Sequence, residues 1–306
     1  MELHPLMIRA AALVGAIYGA FLVIFFLGFV VGRRGPDWAR IFSISFIVII
    51  LIAVLALPPL ALTIFVAVLA FLGVREIWYA SGFKNVAYVH PVFYAFTAIV
   101  SVLIPFLLQF RPSWFHPFAI LVLAGLFSIP VFLRDVHLAF DRIARSMACI
   151  ILSILFSHLV LLRALPAGLA LCVTVIFLTN LADTSGYFFG KLLRGRRKMI
   201  EAVSPGKTLA GCLSSIPATL LLSLLFRWQL FPSVPVWYVL LMALVINAGA
   251  QIGDLIFSVF KRDVGIKDYS QLIPGHGGIL DRFDSLVATA PLVYCFVTIL
   301  PWPVAA

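Results

Sequence analysis

Ten runs of apolar residues, at about 10–31, 41–57, 59–74, 91–109, 117–133, 146–162, 167–189, 208–226, 235–260 and 285–300, occupy most of this 306-residue chain. Such runs suit helices that cross a hydrocarbon layer ~30 Å thick, where the backbone must satisfy its own polar groups. With 63% hydrophobic and 11% charged residues and a mean hydropathy of +1.15, a water-soluble domain is excluded. The expected fold is an all-α polytopic integral membrane protein of about ten transmembrane helices. The two short runs that meet at Pro58 and Pro59 are read as a tight hairpin, because one fused helix would be ~48 Å long.

The net charge of +10 first raises the question of nucleic acid, but its distribution answers otherwise. With the N-terminus outside, 18 of the 22 Lys and Arg residues fall in inside loops, as the positive-inside bias requires. Both termini are then expected outside, with a charged catalytic cleft at the cytoplasmic face and no nucleic-acid partner. All six tryptophans fall at the ends of the runs, where an amphipathic ring favours the interface. The four cysteines lie at wide spacings inside apolar runs, so neither disulfides nor zinc is indicated. The first run is too long for a signal-peptide core and is read as a span. With no linker or convincing repeat, residues 1–306 are taken as one membrane domain: 1–165 scaffold and lipid-facing helices, 166–300 catalytic helices and loops.

Of the twelve acidic residues, ten are placed in loops or at helix ends; the exceptions are Asp183 and Asp254. A carboxylate at membrane depth is a functional candidate, with a structural ion pair as the alternative. Asp183 lies eight residues before Lys191 and Asp254 seven before Lys261, which places both roughly 10 to 12 Å inside the cytoplasmic helix end. Each sits on a polar stripe at helical spacing: Asn247, Gln251, Asp254, Ser258 and Lys261 on one, Asn180, Asp183, Tyr187 and Lys191 on the other. Gly186 with Gly190, and Gly249 with Gly253, have the small-xxx-small spacing of closely packed helices.

A loop upstream of the eighth run reads SPGKT, residues 204–208. Ser204 and Pro205 read as a helix opening whose free N–H groups, with Lys207 and Thr208, suit an anion; a cap without a ligand is the plainer reading. It is no Walker A loop, since Glu201 stands where that motif needs its first glycine. The densest polar stretch is Ser258 to Asp284, SVFKRDVGIKDYSQLIPGHGGILDRFD. It carries Lys261, Arg262, Lys267 and Arg282 with Asp263, Asp268, Asp281 and Asp284, and Asp254 lies just upstream. Cations, carboxylates and the bare backbone of Gly275, Gly277 and Gly278 point to phosphate and a divalent metal.

That stretch resembles the signature of the phosphatidate cytidylyltransferases, or CDP-diacylglycerol synthases. The matching residues are Ser258, Lys261, Arg262, Lys267, Asp268, Ser270, Pro274, His276, Gly277, Gly278, Asp281, Arg282 and Asp284. The resemblance reaches upstream to Asp183, Gly186, Ser204, Pro205, Lys207, Thr208 and Gly211, covering about residues 179–291. One departure is Ala210, where the family pattern has Glu. The resemblance implies transfer of CMP from CTP to phosphatidic acid or a closely related lipid phosphate, giving CDP-diacylglycerol and pyrophosphate by metal-assisted in-line displacement. It implies catalytic roles for Asp254, Lys261, Arg262, Lys267, Asp268, His276, Asp281, Arg282 and Asp284. Substrate contacts are expected from Asp183, Ser204, Lys207, Thr208, Ser258, Gly277 and Gly278. Mg²⁺ is expected on Asp254, Asp281 and Asp284, a second metal ion and a homodimer being left open. For His276 and the glycines, structural loop roles stand beside these. The implied location is a bacterial inner membrane, active site toward the cytoplasm. The alternatives are a CTP-dependent polyprenol or phytol kinase, whose neutral acceptor would need a base, and a non-catalytic ion or proton transporter.

Overall fold

A computed structural model describes residues 49–80, 90–133, 139–193, 197–273 and 277–300, with isolated positions before residue 49. Most of the first apolar run, both termini, and Pro274, Gly275 and His276 lie outside them. Eight helices among the described residues are long and apolar enough to cross a membrane: α1 (Pro59–Ala80), α2 (Pro91–Phe110), α3 (Phe115–Leu133), α4 (Ala139–Ala164), α5 (Gly168–Leu192), α6 (Leu209–Leu230), α7 (Val236–Asp263) and α8 (Leu280–Ile299). No strand occurs among the described residues, only two isolated bridges. The chain is thus an all-α polytopic membrane protein. An earlier helical stretch ends at Ala56, and the backbone breaks at Leu57 and Pro58 before α1 starts, as the paired prolines led one to expect.

Helix α5 is the axis. Its residues 168–176 are apolar or small and all buried, the mark of a helix with neighbours on every side. It packs along α6 and α7, and α7 in turn runs along α8. One apolar core joins α4, α5, α7 and α8 with Leu62, Val66 and Leu69 of α1. A second, built on Trp78, Phe93, Ile104 and Leu126, ties α1 to α2, α3 and α4. Helix α3 is outermost, with Leu121, Val131 and Phe132 exposed as a lipid-facing surface requires.

The close crossings lie where the paired glycines fall. A Cβ on Gly253 would come within 2.7 Å of the Asp284 carbonyl oxygen, and one on Gly249 within 2.9 Å of Thr289 Cα. At the α5/α6 crossing a Cβ on Gly211 would collide with the Gly186 carbonyl oxygen and stand 3.0 Å from Gly190 Cα. Backbone cannot retreat as a flexible side chain can. Gly211→Leu is therefore expected to lose most of the folded protein recovered in detergent, and recovery at wild-type yield and thermal midpoint would refute the crossing.

Three helix ends differ from the apolar runs. The third run was drawn to residue 74, but α1 continues to Ala80 and carries Glu76 buried, only 4% exposed. Glu76 was grouped with acids in loops or at helix ends, so this is a correction. Ser204 and Pro205 do not open a helix: Pro205 and Gly206 occupy the centre of a turn closed by the Lys207 N–H on the Ser204 carbonyl at 3.1 Å. Helix α6 begins at Leu209, with Thr208 as its cap, its hydroxyl accepting from the Gly211 N–H at 3.1 Å. Helix α8 begins at Leu280, earlier than its apolar run, so Asp281 and Asp284 belong to its first turns.

Candidate active site

The C-terminal ends of α5 and α7 and the N-terminal ends of α6 and α8 meet around a cavity of about 590 Å³. Helix spacing puts the chemistry there. On α7, Asp254 and Lys261 lie seven residues apart, two turns along one face; on α8, Asp281 and Asp284 lie three apart. Asp183 enters from α5, and Ser204, Gly206 and Lys207 from the turn before α6. Asp268 and Arg282 complete the polar wall, while Ile47, Leu51, Ile176, Phe177 and Leu222 line an apolar part.

Lysines stand among the carboxylates. Lys207 Nζ is 2.7 Å from Asp254 Oδ2. Lys261 Nζ is 2.9 Å from Asp281 Oδ1 and 3.8 Å from Asp284 Oδ2. Asp281 is the most committed acid: its Oδ2 also accepts the Tyr269 N–H at 2.8 Å and the Gly278 N–H at 2.9 Å, binding the signature loop to the start of α8. Gly277 in that loop has φ +83°, a left-handed conformation that favours glycine. The Tyr269 ring lies 5.7 Å below Lys261 Nζ. Burial first, then the charges of Asp281, Asp284 and Glu76, push the Tyr269 hydroxyl above its ordinary pKa.

The other expected site residues are arranged differently. Ser258 is buried, its hydroxyl 3.5 Å from Asp254 Oδ1, and is a neighbour of that carboxylate outside the cavity lining. The Arg262 guanidinium donates to the carbonyls of Val203, at 3.3 Å, and Ile266, at 3.2 Å, strapping the loop before α6 to the end of α7. Arg262 and Lys267 are not among the described residues that line the cavity. Ala210 is half-buried in the first turn of α6 and also stands outside the lining. The polar stripe of α7 faces α6: Asn247 Nδ2 donates to Ser215 Oγ at 3.0 Å and Thr219 Oγ1 at 2.9 Å.

Sequence reasoning missed Glu76. Its Oε1 accepts from Ser270 Oγ at 2.6 Å and the Ile279 N–H at 2.8 Å, and its Oε2 accepts the Leu280 N–H at 2.8 Å. A signal existed, because Leu62, Val66, Leu69, Gly73 and Glu76 recur at helical spacing on the face of α1 that packs inward.

Carboxylate oxygens are the hard donors that a divalent cation such as Mg²⁺ takes, and five of them line this cavity against three cationic side chains. The donor set therefore fits such an ion in chemistry and in charge. Among the described residues no three His, Cys, Asp or Glu are grouped as a ready-made metal cage.

Comparison with known proteins adds the following. The model of a family described as "Cytidylyltransferase family" matches residues 38–300. A phosphatidate cytidylyltransferase of Synechocystis is 44% identical over 137 residues, 44% of this chain and 45% of that protein. YnbB of Escherichia coli, described as an uncharacterized protein, is 40% identical over 146 residues, 46% of this chain and 48% of its own length. A phosphatidate cytidylyltransferase of Staphylococcus saprophyticus is 29% identical over 249 residues, 80% of this chain and 93% of that protein. The first two matches thus span about half the length of the relatives concerned.

Proposed function

The chain belongs to the cytidylyltransferase family, and from that premise we propose that it transfers CMP from CTP to phosphatidic acid or a closely related lipid phosphate. The observation that carries this reading is the composition of one cavity, with lysine, arginine and carboxylates at one part and an apolar lining at another. Such a cavity takes a water-soluble nucleotide and the phosphate of a lipid together. It lies where the lysine-rich loops converge, which supports an active site on the cytoplasmic side of the membrane.

The acceptor needs little activation. A phosphate monoester has its second pKa near ~6 and is largely dianionic at neutral pH. One of its oxygens attacks the α-phosphorus of CTP, forming the new P–O bond as the bond from the α-phosphorus to the bridging oxygen breaks; that electron pair leaves on pyrophosphate. No proton has to be abstracted, so the task is to hold two polyanions in line and offset their repulsion. Lys207, Lys261 and Arg282 line the cavity and supply fixed positive charge for the phosphates; Arg282 can grip two oxygens and each lysine acts as a point charge. Asp254 and Asp284 would hold a divalent ion together with the substrate phosphates, beside Asp281, which is tied to Lys261 and two backbone N–H groups. Bound Mg²⁺ supplies neutralisation of the triphosphate and of the charge on leaving pyrophosphate. Asp183 closes the same wall from α5.

The deciding experiment follows the phosphorus. Protein in detergent is given Mg²⁺, dispersed phosphatidic acid and CTP labelled at either the α or the γ phosphate. Label is expected in the lipid from α-labelled CTP alone, with γ label recovered as pyrophosphate. Transfer of γ label into phosphatidic acid or a polyprenol would instead make the chain a lipid kinase.

A further inference from the structure

We propose that Glu76, on a helix far from the signature in sequence, is a positioning residue for the active site, holding α8 and the signature loop in register through the Ile279 and Leu280 N–H groups and Ser270, with Gly278 leaving room for its carboxylate. Ile279 at the N-cap of α8 has no side-chain acceptor, and Asp281 of the helix's own first turn takes the Gly278 N–H, so the Ile279 and Leu280 N–H groups need a partner from elsewhere. Glu76 answers with both oxygens, accepting from Ile279 and Leu280 at 2.8 Å each. A negative charge is also the favourable one at that end of a helix. Its third donor, Ser270 Oγ at 2.6 Å, lies at the other end of the loop, so one carboxylate ties down both ends of the 270–280 segment.

The packing is shaped around that reach. Gly73, three residues before Glu76, lets α1 approach, for a Cβ there would come within 2.9 Å of Leu152 Cδ2 and 3.1 Å of Leu280 Cδ2. A Cβ on Gly278 would come within 2.6 Å of Glu76 Oε1 and 2.7 Å of Oε2. The residue after Leu280 is Asp281, which holds Lys261, and Asp284 follows one turn later. Displacing the cap therefore displaces three charged side chains of the cavity together. A shift of about 1 Å at reacting groups can cost ~100-fold in rate.

The test uses the full chain in detergent and three variants, Glu76→Gln, Gly278→Ala and Glu76→Ala/Gly278→Ala, with Glu76→Ala alone as the reference for the last. Glu76→Gln keeps the shape but turns an amide NH₂ toward an N–H that needs an acceptor. Gly278→Ala leaves Glu76 in place and pushes its carboxylate away. In both single variants backbone amides 279–284 are expected to exchange at least tenfold faster, with α2–α6 unchanged. Turnover per folded molecule should fall about 100-fold, mainly in kcat. In the double variant the added methyl group meets no carboxylate, so Gly278→Ala should cost almost nothing beyond Glu76→Ala. Wild-type exchange at 279–284 in Glu76→Gln, or full additivity of the two changes, would overturn the assignment. So would a loss of activity that only follows the folded fraction. The turnover arm rests on the cytidylyl-transfer reading, whereas amide exchange does not: if the wild-type chain failed to transfer label from CTP, exchange would still judge Glu76.

Discussion

Asp254→Asn is expected to fold at wild-type yield and to lose at least about 1,000-fold in turnover, the scale of removing a charged group that meets the transition state. The two halves of this expectation have separate grounds. Asp254 pairs with Lys207 at 2.7 Å, but the two side chains remain 30% and 17% exposed. A pair of that exposure contributes ~0–1 kcal/mol to stability. Activity is another matter, because Asp254 lines the cavity and its partners are side chains, Ser258 and Lys207. Pyrophosphate release per folded molecule, measured beside a thermal unfolding curve, checks both. A rate near that of the wild type would remove Asp254 from the proposed metal-binding set.

Lys261→Met should do the reverse and fail first in stability. Asp281 is only 2% exposed and Asp284 10%, and Lys261 is the ammonium beside both. Taking away one partner of a buried pair leaves an uncompensated charge, with a cost of about 3–5 kcal/mol. The methionine fills the stem's volume, so little of the loss comes from a cavity. Adding Asp281→Asn should recover part of it, because the strongest orphaned charge is then gone, although the amide serves the Tyr269 and Gly278 N–H groups less well. Thermal midpoints in one detergent for both singles and the double complete the cycle. A Lys261→Met midpoint equal to that of the wild type would show that the carboxylates do not depend on this lysine.

Much of this architecture is legible in the chain because lipid leaves little choice: each apolar run among the described residues became a helix, and the Pro58–Pro59 break lies between two of them. Spacing along one helix also reads well, as Asp254 and Lys261 show. What spacing cannot report is a partner on another element. Arg262 looks like a phosphate ligand in sequence, and spacing does not reveal that its guanidinium also donates to two backbone carbonyls. Asp281 looks as free as Asp254, yet it carries a lysine and two backbone N–H groups. Glu76 follows Arg75 at the end of an apolar run, where a charge ordinarily marks the membrane interface. Only the approach of α1 to α8 reveals it as buried. The SPGKT turn was misread for a local reason: a proline suits a helix's first turn and a tight turn alike, and Gly206 decided between them.

The tie between Glu76 and the start of α8 bears on how such a chain can change by descent. Residues 166–300 hold every signature side chain and could pass as a self-sufficient cassette. Grafted behind a foreign first half, that cassette would keep its motif intact and still lose its register unless the incoming helix brought an acid to the place of Glu76. Exchange between relatives would therefore be filtered at a position outside the signature of residues 179–291, and the scaffold would be inherited together with the site.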